Sequence, residues 1–181
     1  MKRCERRNIV LTGFMATGKS SVGRQLANRL GYDFVDVDGL IEAEAGMPIP
    51  DIFTSQGEAA FRELEARMVE LTAGRAGCVI ATGGGAIVNP RNFAALKRNG
   101  VIVALTADPD VILSRIGAGA DRPLLAGGEK RERIQRLLDA RASAYAKADL
   151  SVDTSNRSVD EVVDQLVALL SSYPVAAPEG T

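Results

Sequence analysis

The stretch Asn8-Ile-Val-Leu-Thr-Gly-Phe-Met-Ala-Thr-Gly-Lys-Ser-Ser21 constrains this chain more than any other, because an apolar run enters directly into Gly13-x-x-x-x-Gly18-Lys19-Ser20. That spacing is a phosphate-binding P-loop. Its glycines let the backbone bend until successive N–H groups and a helix N-terminus point at one anion. Lys19 would add a point charge near the β- and γ-phosphates, and the Ser20 hydroxyl would be a Mg2+ ligand. The flanks suit the motif: a β-type run precedes it, and Val22, Leu26, Ala27 and Leu30 follow at helical spacing. A nucleoside triphosphate is therefore the expected ligand.

A length of 181 residues suits one well-buried α/β domain and is too short for two comfortable ones. Net charge is only −1, so neither nucleic acid nor an anionic membrane is expected as a partner, and any anion site must be local. No apolar run approaches the ~20 residues of a membrane span. The basic start (Lys2, Arg3, Arg6, Arg7) leads into a strand instead of a signal-peptide core, so a cytoplasmic protein is expected. With Cys4 and Cys78 the only cysteines, neither a disulfide nor a zinc site is expected. The absence of histidine removes every Ser/His, Cys/His and His-metal mechanism.

Apolar runs alternate with helical patterns as a parallel sheet with covering helices requires. The patterns predict strands near 7–12, 33–37, 77–82, 100–106 and 149–153. Helices are predicted near 19–30, 38–46, 57–73, 90–98, 108–116, 128–146 and 158–171. Gly31 and Gly100 fall where helix C-caps belong, while Asn89-Pro90 and Asp108-Pro109 read as helix starts. Residues 38–74 are long for a simple crossover and read as an inserted substrate-binding region. Residues 117–128, with glycines around a basic and apolar centre, read as a lid. The small, Pro-rich tail 174–181 is expected to fray.

Phosphoryl transfer needs positioning, a metal and distributed positive charge more than covalent help from the protein. Asp36 and Asp38 fall at the carboxyl end of the second strand, where open α/β sheets place ligands, and strand alternation would put both on one face. Asp36 suits an outer-sphere magnesium contact, and Asp38 could accept a hydrogen bond from a substrate hydroxyl. Arg62 and Glu65 flank the buried stripe of Phe61, Leu64, Met68 and Leu71 on one side. They could form a surface ion pair, or Arg62 could clamp a substrate carboxylate; the pattern leaves both open. Gly83, Gly84 and Gly85 end a buried strand beside the expected P-loop, where they permit close backbone approach to a ligand. Residues 115–141 carry seven cations against four anions, mostly a solvated helix face. Arg122, alone inside the lid, would reach the γ-phosphate on closure as an arginine finger in cis.

Together the P-loop, Asp36-x-Asp38, Gly57-Glu-x-x-Phe-Arg62-x-x-Glu65, Gly83-Gly-Gly-Ala86 and Arg122-Pro-Leu-Leu resemble the shikimate kinase family in order and spacing, over about residues 7–172. The resemblance implies a three-layer α/β, nucleoside-monophosphate-kinase-like P-loop fold with a five-stranded parallel sheet of order 2-3-1-4-5. It implies one kinase domain over 1–181 and MgATP-dependent phosphorylation of the shikimate 3-hydroxyl, in chorismate and aromatic amino-acid biosynthesis. ATP would lie along Gly13, Ala16, Thr17, Gly18, Lys19, Ser20 and Ser21, with Arg115 and Arg157 framing the adenine. Lys19 and Arg122 would bind the transferring phosphate, Ser20 would ligate Mg2+, and Asp36 would support its water shell. Asp38 would hold the shikimate hydroxyls, Arg62 and Arg141 its carboxylate, and Gly84 its ring, with Glu65, Gly83 and Gly85 completing the acceptor side. Lys19, Asp38 and Arg122 would be the catalytic set, and a monomer the simplest state.

One departure from the family pattern is Ala16, where glycine is usual. Its methyl is small and the general motif leaves the position free, so binding is expected to survive unless a positive φ is required there. Two other readings compete. A gluconate kinase would use the same loop and lid but would not need both Arg62 and Arg141. A catalytically silent ATP or metabolite sensor would be expected to have lost Lys19, Asp38 or Arg122, and all three are present.

Overall fold

In the computed structural model, which describes residues 6–117 and 130–173, the sheet forms because three apolar runs can bury both faces at once, with two half-exposed runs at its edges. The strands are β1 (Asn8–Gly13), β2 (Asp33–Asp36), β3 (Cys78–Ala81), β4 (Gly100–Thr106) and β5 (Leu150–Asp153). All neighbours pair in parallel, in the order β2-β3-β1-β4-β5. Parallel sheets need cover on both faces, and side-chain alternation divides the core accordingly. Val10, Val35, Ile80 and Ile102 face one cluster with Ile41, Ile52, Phe61 and Val69. Ile9, Leu11, Val79, Val103 and Val152 face the other with Val22, Leu26, Val163 and Leu166.

The helices among the described residues are α1 (Lys19–Leu30), α2 (Val37–Ala45), α3 (Ile49–Ser55), α4 (Gly57–Ala73), α5 (Pro90–Arg98), α6 (Pro109–Ile116), α7 (Lys130–Tyr145) and α8 (Val159–Ser172). A 3-10 turn, Ala86–Val88, links β3 to α5. The anticipated starts are present. Pro90 and Pro109 open their helices, and Asn89 caps α5 by accepting from the Arg91 N–H. Gly31 closes α1 in the left-handed region, φ 64°.

Three local expectations need correction. Gly100 is no helix cap: Asn99 takes that place after α5, and Gly100 opens β4 opposite Asn8. Glycine is required there by packing, since a Cβ would meet the Leu96 carbonyl oxygen at 2.4 Å. Asp36 and Asp38 do not share a strand face, because β2 ends at Asp36 and Asp38 belongs to the first turn of α2. Finally, Ile49–Ser55 forms a short helix of its own that residues 38–74 conceal in the sequence pattern. Seven residues give only two turns, too few to display a periodic stripe. The expected lid, 117–128, lies outside the described residues apart from Gly117, and the tail, 174–181, lies outside them altogether.

Candidate active site

The P-loop follows β1 because Gly13 can leave the sheet where no other residue fits. At φ 137° its Cβ would lie 2.1 Å from the Leu105 carbonyl oxygen. Thr17, buried beneath the crest, donates its hydroxyl to the Phe14 carbonyl at 2.8 Å. Gly18 precedes α1 at φ 91°. Gly13 and Thr17 therefore build the loop, while Ala16, Gly18, Lys19, Ser20 and Ser21 line a cavity of about 530 Å³. Lys19 Nζ donates to the Gly13 and Phe14 carbonyls at 2.8 and 2.7 Å. Ala16 has φ 60°, the one positive value at a non-glycine among the described residues. That is the condition under which its methyl was expected to matter.

Ser20 Oγ donates to Asp36 Oδ2 at 2.9 Å, so the first turn of α1 and the end of β2 bring a hydroxyl and a carboxylate together. Two hard oxygen donors beside a phosphate cradle suit Mg2+, which takes few protein ligands and keeps phosphate oxygens and waters for the rest.

Across the same cavity, α4, the loop after β3, and α7 supply the opposite wall: Phe61, Arg62, Glu65, Gly83, Gly84, Gly85 and Arg141, with Asp38 between the two sides. Arg62 and Glu65 form an ion pair, Nη1 to Oε2 at 2.9 Å, and Arg62 also meets the exposed Glu58 at 3.2 Å. This is no ordinary surface pair, since Glu65 is only 1% exposed and its Oε1 has no hydrogen-bond partner. Burial pushes the Glu65 carboxyl above the usual glutamate range, against the opposing pull of Arg62 and Arg141. Burial also works against the Arg62 charge, but Glu65 and Glu58 outweigh it and raise its pKa. Arg141, 8% exposed, lies over the Phe14 ring at 5.6 Å, which ties the acceptor wall to the residue after Gly13.

The three glycines are explained by these charges. A Cβ on Gly83 would lie 3.0 Å from Asp38 Oδ1 and 3.1 Å from Glu65 Oε1. On Gly84 it would lie 3.1 Å from the Gly13 carbonyl oxygen and 3.2 Å from Arg141 Nη1, and on Gly85 3.0 Å from Arg62 Nη1. Each glycine therefore yields its side-chain space to one or two charged groups, and the backbone forms the wall between them.

Some contributors escaped the sequence reading. Ile49, Pro50 and Phe53 from α3 line the cavity, with the Phe53 and Phe61 rings 4.7 Å apart. Tyr145, one turn beyond Arg141 on α7, donates its hydroxyl to the Gly84 carbonyl at 2.6 Å, and burial raises its pKa. Spacing to Arg141 was the available signal, but it says nothing about what a tyrosine hydroxyl meets. Arg115 lies behind the loop crest, donating to the Ala16 carbonyl at 3.2 Å and to Thr154 Oγ1 at 3.0 Å. Arg157 is exposed, pairs with Gln165 Oε1, and does not line this cavity. Arg122 lies outside the described residues.

The family model for shikimate kinase matches residues 15–171. A shikimate kinase from Geobacter sulfurreducens is 48% identical over 167 residues, covering 92% of each chain. One from Thermus thermophilus is 44% identical, covering 90% of this chain and 89% of its own. Among solved structures, the shikimate kinase from Acinetobacter baumannii in complex with shikimate superposes with a TM-score of 0.90 at 34% identity, over 94% of this chain and 96% of that one. A gluconokinase from Sinorhizobium meliloti reaches a TM-score of 0.61 at 19% identity, over 94% of each chain, a likeness of fold alone. With matches that span nearly all of its length, this chain belongs to the shikimate kinase family.

Proposed function

We propose that this protein transfers the γ-phosphoryl group of MgATP to the 3-hydroxyl of shikimate, giving shikimate 3-phosphate and ADP, in the biosynthesis of chorismate and the aromatic amino acids. The observation that carries the reading is the single cavity joining the P-loop to a wall that holds Arg62 and Arg141 against one buried carboxylate, Glu65. Both guanidiniums line the cavity beside the buried Glu65, where they can meet a ligand carboxylate. The relatives named shikimate kinase and the superposition on a shikimate complex support the same acceptor.

In this reading Arg62 and Arg141 hold the acceptor carboxylate, Glu65 fixes Arg62, and the backbone at Gly83, Gly84 and Gly85 lies along the ring. Asp38 accepts a hydrogen bond from the reacting hydroxyl. That oxygen attacks the γ-phosphorus as the bond to the β,γ-bridging oxygen breaks, and its proton leaves toward Asp38. A loose transition state needs little base assistance, so Asp38 acts chiefly by orientation. Lys19 follows the charge that develops on the phosphates, and Arg122 adds a second positive charge there. Ser20, directly, and Asp36, through water, would hold Mg2+, which when bound would supply charge neutralisation for the phosphates. Arg115 and Arg157 frame the adenine side.

The described residues that line the cavity all come from one chain, which supports a monomer, and the region 38–74 acts as the acceptor-binding part of a single kinase domain. No helix among the described residues is long and apolar enough to cross a membrane, which supports action in the cytoplasm. A coupled assay of ADP release with Mg2+ across shikimate, gluconate and nucleoside monophosphates tests the assignment. Turnover is expected with shikimate alone, and no rate above the ATPase background with shikimate would refute it.

A further inference from the structure

Ala16 is held in the left-handed region that L-residues avoid, a preference that shifts a conformational equilibrium roughly 5- to 30-fold against it. Inside the loop Thr17 closes the turn around Ala16, its N–H and hydroxyl reaching the Phe14 carbonyl at 3.4 and 2.8 Å, and two distant groups grip the loop at this point as well. Arg115, in the last turn of α6, donates from Nη1 to the Ala16 carbonyl at 3.2 Å. The same nitrogen reaches Thr154 Oγ1 at 3.0 Å, and Nη2 reaches the carbonyls of Thr154 and Ser155. Thr154, 3% exposed after β5, places its hydroxyl 3.2 Å from the Thr17 carbonyl and 3.0 Å from that of Thr106. Two consecutive loop carbonyls thus face one bracket, the single hydroxyl hydrogen of Thr154 being shared between the Thr17 and Thr106 carbonyls. In a trans peptide the N–H points opposite its carbonyl, so tying the Thr17 carbonyl turns the Gly18 N–H the other way.

We propose that Arg115 is a positioning residue for the phosphate loop, holding Ala16 in its unfavourable conformation through the Ala16 carbonyl with Thr154 as the second jaw. This deepens the kinase reading and rests on its nucleotide half. It assigns Arg115 an effect on phosphate binding that is separate from any contact with the base. It also predicts a dependence on residue 16: where glycine makes positive φ free, the bracket becomes dispensable.

The test is a double-mutant cycle on the full chain. Arg115→Lys, which cannot span both jaws, is expected to raise the KM for MgATP about 10-fold while leaving that for shikimate unchanged, within the range set by the conformational preference. In protein that also carries Ala16→Gly, the rise caused by the same change is expected to be about 5-fold smaller, any contact with the base being common to both backgrounds. Magnesium pyrophosphate, which has no base, should lose affinity as an inhibitor in parallel with MgATP. An equal rise with and without Ala16→Gly overturns the proposal, as does unchanged pyrophosphate inhibition, which would place Arg115 on the base. If Arg115→Lys does not fold, Thr154→Val removes the other jaw and is judged by the same comparison. If the parent gives no turnover with shikimate, the acceptor assignment fails instead, and the cycle is read from calorimetric binding of magnesium pyrophosphate.

Discussion

The two halves of the cavity hold anions by different means. The phosphate side is contiguous backbone from Gly13 to Ser20, shaped by positive φ at Gly13, Ala16 and Gly18 and fixed by carbonyl contacts. The acceptor side is assembled from charged side chains on α2, α4 and α7, separated by glycines that leave room for them. Backbone donors cannot be removed singly by mutation, so the phosphate side fails through its one point charge or its conformation. Side-chain charges are mutually compensating, so on the acceptor side the loss of one leaves another buried and unpaired.

The largest effect is expected at Lys19. Lys19→Met should lower kcat by about 10²–10³, the cost of deleting one preorganised charge from a transition state, with little change in the KM for shikimate. Steady-state kinetics check it, and a kcat within 10-fold of the parent would place the transferring charge elsewhere. Arg62→Ala should instead raise the KM for shikimate by about 30-fold or more, because truncating one member of a buried charged pair costs roughly 2–5 kcal/mol. The KM for MgATP should hold. Equal effects on both substrates would dissolve the division between the halves.

Gly85→Ala tests whether the glycines serve the charges. Its Cβ, 3.0 Å from Arg62 Nη1, must displace the guanidinium, and a misplacement of this kind is expected to raise the KM for shikimate about 10-fold. Gly39→Ala in α2 is the matched control, since the nearest atom to its Cβ is 3.9 Å away. That change should leave both KM values alone and add roughly 0.5–1 kcal/mol of stability in urea denaturation. Tyr145→Phe removes one neutral hydrogen bond to the Gly84 carbonyl and should raise the shikimate KM about 5-fold, in line with ~1 kcal/mol per bond. An unchanged KM would make the tyrosine a packing residue only.

The same contrast decides what could be read without a structure. The strands and the phosphate loop were legible because each depends on local pattern, apolar runs of strand length and then fixed glycine spacing, whereas the sheet order came only through the family resemblance. Residues 49–55 were not, since two helical turns carry no stripe. Asp38 was placed in the cavity for the wrong reason, strand alternation, when a turn into α2 delivers it. Arg62 and Glu65 could be seen as neighbours at three residues' spacing, but burial decides between a surface pair and a clamp. That burial is created by the loop at Gly83 and by Arg141, about 20 and 80 residues further along. Ala16 shows the limit from the other side: its type was noticed as unusual, while its φ of 60° and the reach of Arg115 to its carbonyl, from 99 residues further along, carry no local signal.

The smallest expected effect concerns the buried carboxylate itself and separates burial from pairing. Burial raises the Glu65 pKa in the folded state, while Arg62 lowers it incompletely. The folded protein then keeps a proton that the unfolded chain has released, so stability must fall as pH rises through the ordinary glutamate range and on through the raised folded value. Below that range the contribution is fully present. The groups that face Glu65 are Arg62, Arg141 and Glu58, and neither arginine titrates in this window. Glu65→Gln removes the titration while keeping the shape. Urea denaturation of both proteins from pH 4 to 8 should therefore show the parent losing stability relative to the variant as pH increases. The opposite slope would mean that the pair with Arg62 outweighs burial, and that the acceptor wall is held by ionic attraction more strongly than its desolvation opposes it.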